Sequence, residues 1–321
     1  MAMLMIVMPA GFAANNTTNA TPYTISTLDS HVGADLSKNP EITTNVPKTT
    51  LSTQILEKEK QGSTVIQFGN GNGKKLLIWA GIHGNEEEAN IATMQYLEYI
   101  KKQNFNGTLY VVPFAIPKDT SLNSRYYGPM KYTYTVKVKY KKVWYKKAYT
   151  KWYKKVYRYH GKKYYKWVKK TYYKKTYKWL YKYVKKTGYK YVDPNRVANV
   201  QGTPGWNVVQ FAKNHGITNI LDVHSGGGLT SYTKGVIYAT TSTPTSSYSG
   251  ESNWAKYVKS VTGCAVEYGQ GQNGMVRNQG HHYGISTITL EVERDYGSTA
   301  NYAAVELKMI KAACKYFGFP G

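Results

Sequence analysis

The sequence predicts an α/β fold in which a mixed, mostly parallel central sheet carries helices on both faces. From Ser63 onward, short runs of β-branched and apolar residues alternate with longer segments of helical character. Such alternation is typical of a sheet covered by helices. The length of 321 residues and the hydrophobic fraction of 41% are sufficient for one large domain with a buried core.

Each predicted element follows from a local pattern of apolar residues. Strands are assigned to short β-prone runs, and helices to segments whose apolar residues recur every three or four positions. The predicted strands cover residues 63–68, 75–80, 108–113, 217–224, 236–240, 265–268 and 287–293. The predicted helices cover residues 86–102, 206–215, 252–261 and 299–317. Together they predict one folded domain over residues 51–321, interrupted by an insertion.

The first 14 residues form an apolar run that ends in small residues and is too short to cross a bilayer. We interpret residues 1–14 as a signal peptide, with a frayed apolar terminus as the alternative. A Thr- and Asn-rich stretch over residues 15–50 is predicted to be a surface spacer. These features predict a protein that is secreted or held in the cell envelope.

The formal charge of +25 is concentrated in one segment of the chain. Residues 131–190 hold 23 of the 43 Lys and Arg residues and no acidic residue, whereas 20 basic and 18 acidic residues lie outside it. The same segment contains 16 of the 32 tyrosines and four of the seven tryptophans. Its alternating pattern predicts a β-hairpin-rich insertion at about residues 129–190, with a turn at His160-Gly161.

The insertion combines aromatic rings, which stack on sugars or bases, with lysines, which attract anions. For an exported protein we predict a cell-wall peptide or another anionic envelope polymer as its partner. A solvated spacer and a nucleic-acid-binding segment are the alternatives, and nucleic acid is disfavoured. No other segment is apolar enough to cross a membrane.

A His and a Glu follow the second predicted strand of the domain. Gly81-Ile82-His83-Gly84-Asn85-Glu86 links that strand to the following helix, so His83 and Glu86 stand at a strand end and a helix start. An imidazole and a carboxylate at this spacing can point at one metal ion. The alternative is a Glu attracted to the helix dipole beside a loop His.

A second His ends another apolar strand, in Leu221-Asp222-Val223-His224. Ligands in α/β sheets gather at the carboxyl ends of the strands, so His224 is expected to meet the His83 loop there. Two His and one Glu leave a fourth position for water, as a catalytic zinc site requires. Asp222 is interpreted as a group that orients the His or as a surface residue.

A carboxylate ends the last apolar strand, at Glu291 or Glu293. An acidic group at the carboxyl end of such a strand can take a proton from water and return it to a leaving amine. The two residues share one face of the strand, so spacing alone does not choose between them. Either could instead pair with a basic side chain at the strand end.

These motifs, in this order, resemble a known family. His-Gly-Asn-Glu at 83–86, Asp-Pro-Asn-Arg at 193–196, Asp-Val-His at 222–224 and Thr-Leu-Glu at 289–291 look like the zinc carboxypeptidases of the carboxypeptidase A type and their deacylase relatives, the aspartoacylase and succinylglutamate desuccinylase group. The resemblance covers the chain from about Ser63 to Phe317 without the insertion. It implies one Zn²⁺ held by His83, Glu86 and His224.

The resemblance also assigns the remaining site residues. It implies that Glu291 is the catalytic base and acid, because the family places this residue after an apolar-Thr-apolar strand. It implies substrate binding by Asn195 and Arg196, which match the pair that grips a terminal carboxylate, and oxyanion stabilisation by Arg125. Tyr268 matches the position of a mobile substrate-binding tyrosine, and Arg277 falls near the specificity pocket. The departure is the 67 residues between Arg125 and Asp193, where compact relatives have only a few.

The resemblance and the export signals together predict a secreted zinc metallocarboxypeptidase that acts on a peptide or isopeptide bond in wall peptides. An N-acyl-amino-acid deacylase and a non-catalytic wall-binding protein are the alternatives. The two cysteines, Cys264 and Cys314, are too few for a disulfide scaffold or a Cys-based zinc module, and their pairing is left open. The histidines that match no motif are predicted to be surface or turn residues: His31, His160, His215, His281 and His282.

Overall fold

The structure is a computed structural model that describes residues 20–241 and 250–321. The predicted signal peptide lies outside the described residues. The strands are β1 (Tyr23–Asp29), β2 (Ser63–Phe68), β3 (Lys75–Ala80), β4 (Thr108–Val112), β5 (Tyr127–Tyr159), β6 (Lys162–Val192), β7 (Asn219–Gly226), β8 (Val236–Ala239), β9 (Ala265–Tyr268) and β10 (Ser286–Glu293). The α-helices are α1 (Pro40–Asn45), α2 (Thr50–Glu59), α3 (Glu87–Ile100), α4 (Pro117–Ser121), α5 (Pro204–Asn214), α6 (Glu251–Thr262), α7 (Val276–His282) and α8 (Thr299–Tyr316). Three short 3-10 helices cover Ser30–Val32, Leu36–Lys38 and Pro194–Arg196.

Eight strands form one mixed sheet in the order β1-β2-β4-β3-β7-β10-β8-β9. The central strands β4, β3, β7 and β10 are parallel to one another, whereas the β1–β2, β2–β4 and β8–β10 pairs are antiparallel. The predicted α/β class with a mostly parallel central sheet is therefore confirmed. The order matters for the site, because it makes β3, β7 and β10 adjacent.

Both faces of the sheet are buried under helices. Leu76, Ile78, Leu221 and Leu290 contribute to one core cluster, which also contains side chains of α3, α6 and α8. Leu77, Trp79 and Ile220 point to the opposite face, where side chains of α5 form a second cluster. Strands buried on both faces are apolar along their whole length, so the polar residues at their carboxyl ends require another explanation.

The prediction of a spacer over residues 15–50 is wrong for the part that the structure describes. β1 pairs antiparallel with β2, from Tyr23 opposite Phe68 to Asp29 opposite Ser63, and forms one edge of the main sheet. Leu36 and Ile42 are fully buried in the core. A few apolar residues among many Thr and Asn are sufficient here, because each fills a position in the core.

Residues Pro129–Lys190 form a compact unit of their own. The unit is a two-stranded ribbon of β5 and β6. The strands are joined at His160 and Gly161, whose φ angles of 45° and 76° are those of a tight hairpin turn. Most side chains along both strands are exposed, so the ribbon has no core of its own.

Both cysteines are buried free thiols, so they form no disulfide with each other. Within the described part of the chain, no helix has the length and apolar character needed to span a bilayer.

Candidate metal centre

The loop between β3 and α3 carries the first two candidate ligands. Gly81 has a φ of 75°, and a Cβ at this position would lie 2.1 Å from Asn90 Nδ2. Gly84 packs so closely on the backbone of Asp119 that a Cβ there would lie 2.0 Å from its carbonyl carbon. Only glycine fits both positions. The loop is therefore held tightly against its surroundings, with His83 and Glu86 both buried.

The third ligand arrives from the neighbouring strand. β3 pairs in parallel with β7, with Ala80 opposite Val223, so the chain leaves β3 beside His224. β7 pairs in parallel with β10, with His224 opposite Glu291. Three adjacent strand ends thus bring the predicted ligands and the predicted base to one edge of the sheet.

The three ligand side chains converge on one point. His83 Nδ1 lies 2.7 Å from Glu86 Oε1, and His224 Nδ1 lies 2.8 Å from Glu86 Oε2. One donor atom from each residue lies within 4.8 Å of the other two. Two imidazoles and one carboxylate form a donor set that zinc prefers. The residues therefore fit the metal that the motifs indicated.

Each imidazole is oriented by an acidic group on its far side. His83 Nε2 lies 2.9 Å from Asp193 Oδ1, and His224 Nε2 lies 3.1 Å from Asp222 Oδ1. These carboxylates accept the Nε2 protons and leave both Nδ1 atoms directed at Glu86. Asp222 thus lies inside the site and is not a surface residue. The sequence motifs assigned Asp193 no role of its own, although this residue begins the quoted Asp-Pro-Asn-Arg motif.

The electrostatics of the centre favour a cation. Burial raises the pKa of the Glu86 carboxyl, but His83 and His224 oppose this effect, and the net pKa is below its usual range. Burial lowers the pKa of His224, but Asp222 and Glu86 outweigh it, and the net pKa is well above its usual value. The negative groups that hold protons on the imidazoles also attract a divalent ion, which displaces those protons on binding.

We expect Asp193→Ala to weaken zinc binding about 10- to 100-fold, because His83 loses the group that orients its ring. Asp193→Asn should weaken it less, since the amide oxygen can still accept the Nε2 proton of His83 and the backbone hydrogen bond from Asn195. Zinc affinity is measured by competition with a chromophoric chelator. Equal affinities of wild type and Asp193→Ala would contradict the orienting role of Asp193.

Glu291 and Glu293 differ in their surroundings. The Glu291 carboxylate lies over Gly226, where a Cβ would come within 2.3 Å of Glu291 Oε1. Glu293 is fully buried, and its Oε1 accepts hydrogen bonds from the backbone amides of Arg294 and Asp295, each at 2.9 Å. Glu293 Oε1 is thus occupied by hydrogen bonds from the turn that follows β10. The geometry favours Glu291 as the residue that faces the site.

The environment of Glu291 is suited to proton transfer. Burial raises the pKa of this carboxyl, while the nearby His224 lowers it, and the net pKa lies above its usual value. A carboxylate with a raised pKa binds a proton more readily than an exposed one.

Arg125 reaches the centre in spite of the long insertion that follows it. Its Nη1 lies 3.3 Å from Glu86 Oε1, and its Nη2 lies 3.0 Å from Asp193 Oδ2. The Arg125 side chain as a whole is 35% exposed. Arg125 precedes the insertion in sequence and Asp193 follows it. Their ion pair joins the two segments of the chain between which the insertion lies.

The Asn-Arg pair lies beside the same centre. Asn195 Oδ1 accepts a hydrogen bond of 2.9 Å from the Val276 amide, and Asn195 Nδ2 lies 3.4 Å from His224 Nε2. Arg196 donates from Nε to Gln272 Oε1 at 2.6 Å. Asn195 is thus placed against the ligand shell, whereas Arg196 lies farther out and is only half-buried.

Arg277 is the most unusual charged group near the site. Its side chain is 5% exposed, and its Nε and Nη1 atoms have no hydrogen-bond partner within residues 20–241 and 250–321. Burial lowers the pKa of this guanidinium, while Glu251, Asp222 and other anions oppose the shift. A buried guanidinium with unused donors is costly unless a ligand supplies an acceptor.

Two tyrosines, one on β8 and one on β9, differ in their surroundings. Tyr268 is 39% exposed at the end of β9, two strands away from β10. Tyr238 lies on β8 beside β10, and its ring is 6.0 Å from Arg277 Cζ. Burial and the charge of Glu291 raise the pKa of Tyr238 to about 12. With 32 tyrosines in the chain, no sequence signal distinguished Tyr238.

The prediction of a surface or turn position is wrong for His281. This residue is 8% exposed, and its Nε2 lies 2.9 Å from the buried carboxylate of Glu251. The pair forms part of the buried polar surroundings of Arg277, since Glu251 also acts electrostatically on that guanidinium. A lone His in a short helix carries no sequence signal for such a pairing.

Comparison with known families matches one part of the chain, which holds the first of these motifs. Residues 72–129 match the family model of the succinylglutamate desuccinylase/aspartoacylase catalytic domain. The resemblance predicted from the motifs is confirmed. The matched segment contains the His83 loop, α3 and Arg125, and members of this family are hydrolases. A comparison with curated proteins finds no match.

Solved structures resemble this chain at low sequence identity. The product-bound ectoine utilization protein EutE (DoeB) from Ruegeria pomeroyi has a TM-score of 0.50 and 15% identity over 83% of this chain. A succinylglutamate desuccinylase from a Silicibacter species has a TM-score of 0.48 and 13% identity over 82% of this chain. The chain spans 65% and 64% of the lengths of these two structures. At 15% identity the likeness to the first of these structures concerns the fold alone.

Proposed function

We propose that this chain is a zinc-dependent amide hydrolase that cleaves a peptide or isopeptide bond next to a free carboxylate. The observation that carries the proposal is the convergence of His83, Glu86 and His224, with both imidazoles oriented by acidic groups. His83, Glu86 and His224 would hold Zn²⁺, which in such sites polarises carbonyl groups and makes water a stronger nucleophile. Glu86, the carboxylate of the ligand set, would supply its negative charge.

The chain's own groups account for the proton transfers of the reaction. Glu291 removes a proton from water as the oxygen attacks the amide carbon, and it then donates that proton to the leaving nitrogen. Its half-buried position keeps the carboxylate reachable, and its raised pKa favours the protonated form that the second step requires. Arg125 is the cation nearest the ligands and would stabilise the negative charge that develops on the carbonyl oxygen.

Substrate recognition is proposed to rest on carboxylates. Asn195 and Arg196 would bind the terminal carboxylate adjacent to the scissile bond, a task suited to amide and guanidinium donors. Arg277, with its unused donors, would bind a second carboxylate on the substrate side chain. Tyr238 and Tyr268 remain candidates for an additional hydroxyl contact.

We expect Arg277→Leu to lower kcat/KM about 10- to 100-fold for a substrate with an acidic side chain, because a hydrogen bond to a charged group is lost from a buried site. An otherwise identical substrate with a neutral side chain should be cleaved at a similar rate by both proteins. For each protein, the kcat/KM values for the acidic and the neutral substrate are compared in one competition assay. Equal loss on both substrates would contradict a role of Arg277 in recognition.

The setting proposed for this activity is the cell envelope, with wall peptides as substrates. Support comes from the apolar start of the sequence and from the basic, aromatic insertion, which suits an anionic polymer. The free carboxylates of a wall peptide would also pair with the arginines of the site. The chain is therefore proposed to be exported and to trim peptide ends.

The matched family model favours a second candidate, an N-acyl-amino-acid deacylase. The products separate the two functions. A carboxypeptidase releases a free amino acid from soluble wall peptides, whereas a deacylase releases it from a small acylated amino acid and leaves the peptides intact. Both substrate sets are incubated with purified protein, and the products are identified by mass spectrometry. Absence of release from both sets, with zinc bound, would contradict the hydrolase proposal.

A further inference from the structure

The ribbon of β5 and β6 exposes an unusual number of aromatic rings. Its segment 131–190 holds 16 tyrosines and four tryptophans, and all of them except Tyr172 are exposed. Large exposed apolar groups on this scale mark an interaction surface in soluble proteins. The rings are therefore available to a partner on both faces of the ribbon.

Rings and cations alternate regularly along one face. In β5, Tyr149, Tyr153 and Tyr157 share a face with Lys151 and Lys155, because successive residues of a strand point to opposite faces. Neighbouring members of this row are about 7 Å apart, and successive rings about 13 Å apart. Tyr149 and Tyr157 each stack on a tyrosine of β6, with ring centroids 5.6 and 5.7 Å apart.

Elsewhere in the ribbon, exposed lysines lie directly over tyrosine rings. Lys142 Nζ is 3.9 Å from the centre of the Tyr177 ring, and Lys154 Nζ is 4.0 Å from that of Tyr165. Such cation–π contacts order the ammonium groups without neutralising them. The ribbon therefore presents ordered positive charge, with no acidic residue in 131–190 to compensate it.

The segment also lacks acidic and amide side chains. It contains no Asp, Glu, Asn or Gln. Recognition of base edges in nucleic acids relies on such side chains together with Arg and Lys. A surface of lysines, tyrosines and tryptophans selects for negative charge and for flat, stackable rings, without reading a sequence.

We infer that the ribbon binds an anionic glycopeptide polymer, whose carboxylates pair with the lysines and whose sugar rings stack on the aromatic side chains. The choice of a wall glycopeptide rests on the proposed function. Nucleic acid is the alternative outcome of the test, because its phosphates and bases would meet the same lysines and rings. Since the ribbon is covalently part of the chain, binding would raise the local concentration of substrate.

The test is co-sedimentation of full-length protein with purified insoluble wall sacculi that carry free peptide carboxylates. We expect Lys147, Lys151 and Lys155→Gln to lower the association constant about tenfold at low salt, since three charges facing a polyanion are removed. Replacement of the same lysines by Arg should preserve binding. The matched control replaces three exposed lysines outside the ribbon, Lys38, Lys256 and Lys308, by Gln and should bind like wild type.

A second variant tests the rings. Tyr149, Tyr153 and Tyr157→Thr keeps residues that favour strands and should also lower the association constant about tenfold, because stacking surface is lost. Circular dichroism of each variant checks that the fold is retained. Sacculi whose carboxylates are blocked as methylamides should bind the wild type weakly.

Three outcomes would overturn the inference. They are equal binding of the ribbon variants and wild type, equal binding to blocked sacculi, and preferential binding to single-stranded oligodeoxythymidylate. His224→Ala should sediment like wild type, because the metal site is not in the ribbon. Retained sedimentation without hydrolysis would reject the proposed function alone, and hydrolysis with unaltered binding of the ribbon variants would reject this inference alone.

Discussion

Glu291→Gln is expected to reduce turnover of the preferred substrate about 1,000-fold while leaving the protein folded and zinc bound. Gln has nearly the same shape as Glu but cannot take a proton from water or return one to the leaving nitrogen. Glu291 is half-buried opposite His224 in the register of β7 and β10, and it is not one of the three metal ligands. The loss should therefore appear in kcat, measured at saturating substrate.

The matched control for this prediction is Glu293→Gln, on the same face of the same strand. Glu293 accepts backbone hydrogen bonds from Arg294 and Asp295, which a Gln oxygen can also accept, so turnover should remain close to wild type. Normal turnover in Glu291→Gln would remove Glu291 from the mechanism. A large loss confined to Glu293→Gln would transfer the role to that residue.

His224→Ala is expected to remove zinc and to reduce hydrolysis below about 1% of wild type, because two remaining ligands cannot hold a catalytic zinc ion tightly. The substitution also leaves Glu86 and Asp222 without the imidazole that they contact. Metal content after gel filtration and the hydrolysis rate are measured on the same sample. Both values should fall together.

His282→Ala is the matched control for the ligand variant, because His282 is an exposed histidine of α7. It should retain full zinc content and full activity. Loss of zinc from both variants would point to adventitious binding by histidines. Activity in a zinc-free His224→Ala protein would show that hydrolysis does not depend on this centre.

The sequence predicted the main strands of the sheet well because their patterns are local. β2, β3 and β9 have the predicted bounds, and β7 and β10 differ only at their ends. Such strands are short runs rich in β-branched and apolar residues, a pattern that is recognisable from the local sequence alone. The positions of His83 and His224 at strand ends followed from the same patterns.

Other features depend on contacts between residues that are distant in sequence, which no local pattern indicates. β1 is an edge strand of mixed composition, and only its pairing with β2 makes it part of the fold. The pairing of Asp193 with His83 joins residues 110 positions apart, across the whole ribbon. Tyr238 and the buried His281 depend likewise on which strands and helices become neighbours. The sequence motifs therefore predict the metal ligands, whereas the residues that surround these ligands depend on tertiary contacts.

The most direct test of the metal centre is the zinc content of the wild-type protein, measured by inductively coupled plasma mass spectrometry after exhaustive gel filtration. The donor set of His83, Glu86 and His224 predicts one zinc ion per chain, released by a strong chelator together with the hydrolytic activity. A wild-type protein that is folded and active but contains no stoichiometric metal would contradict this account.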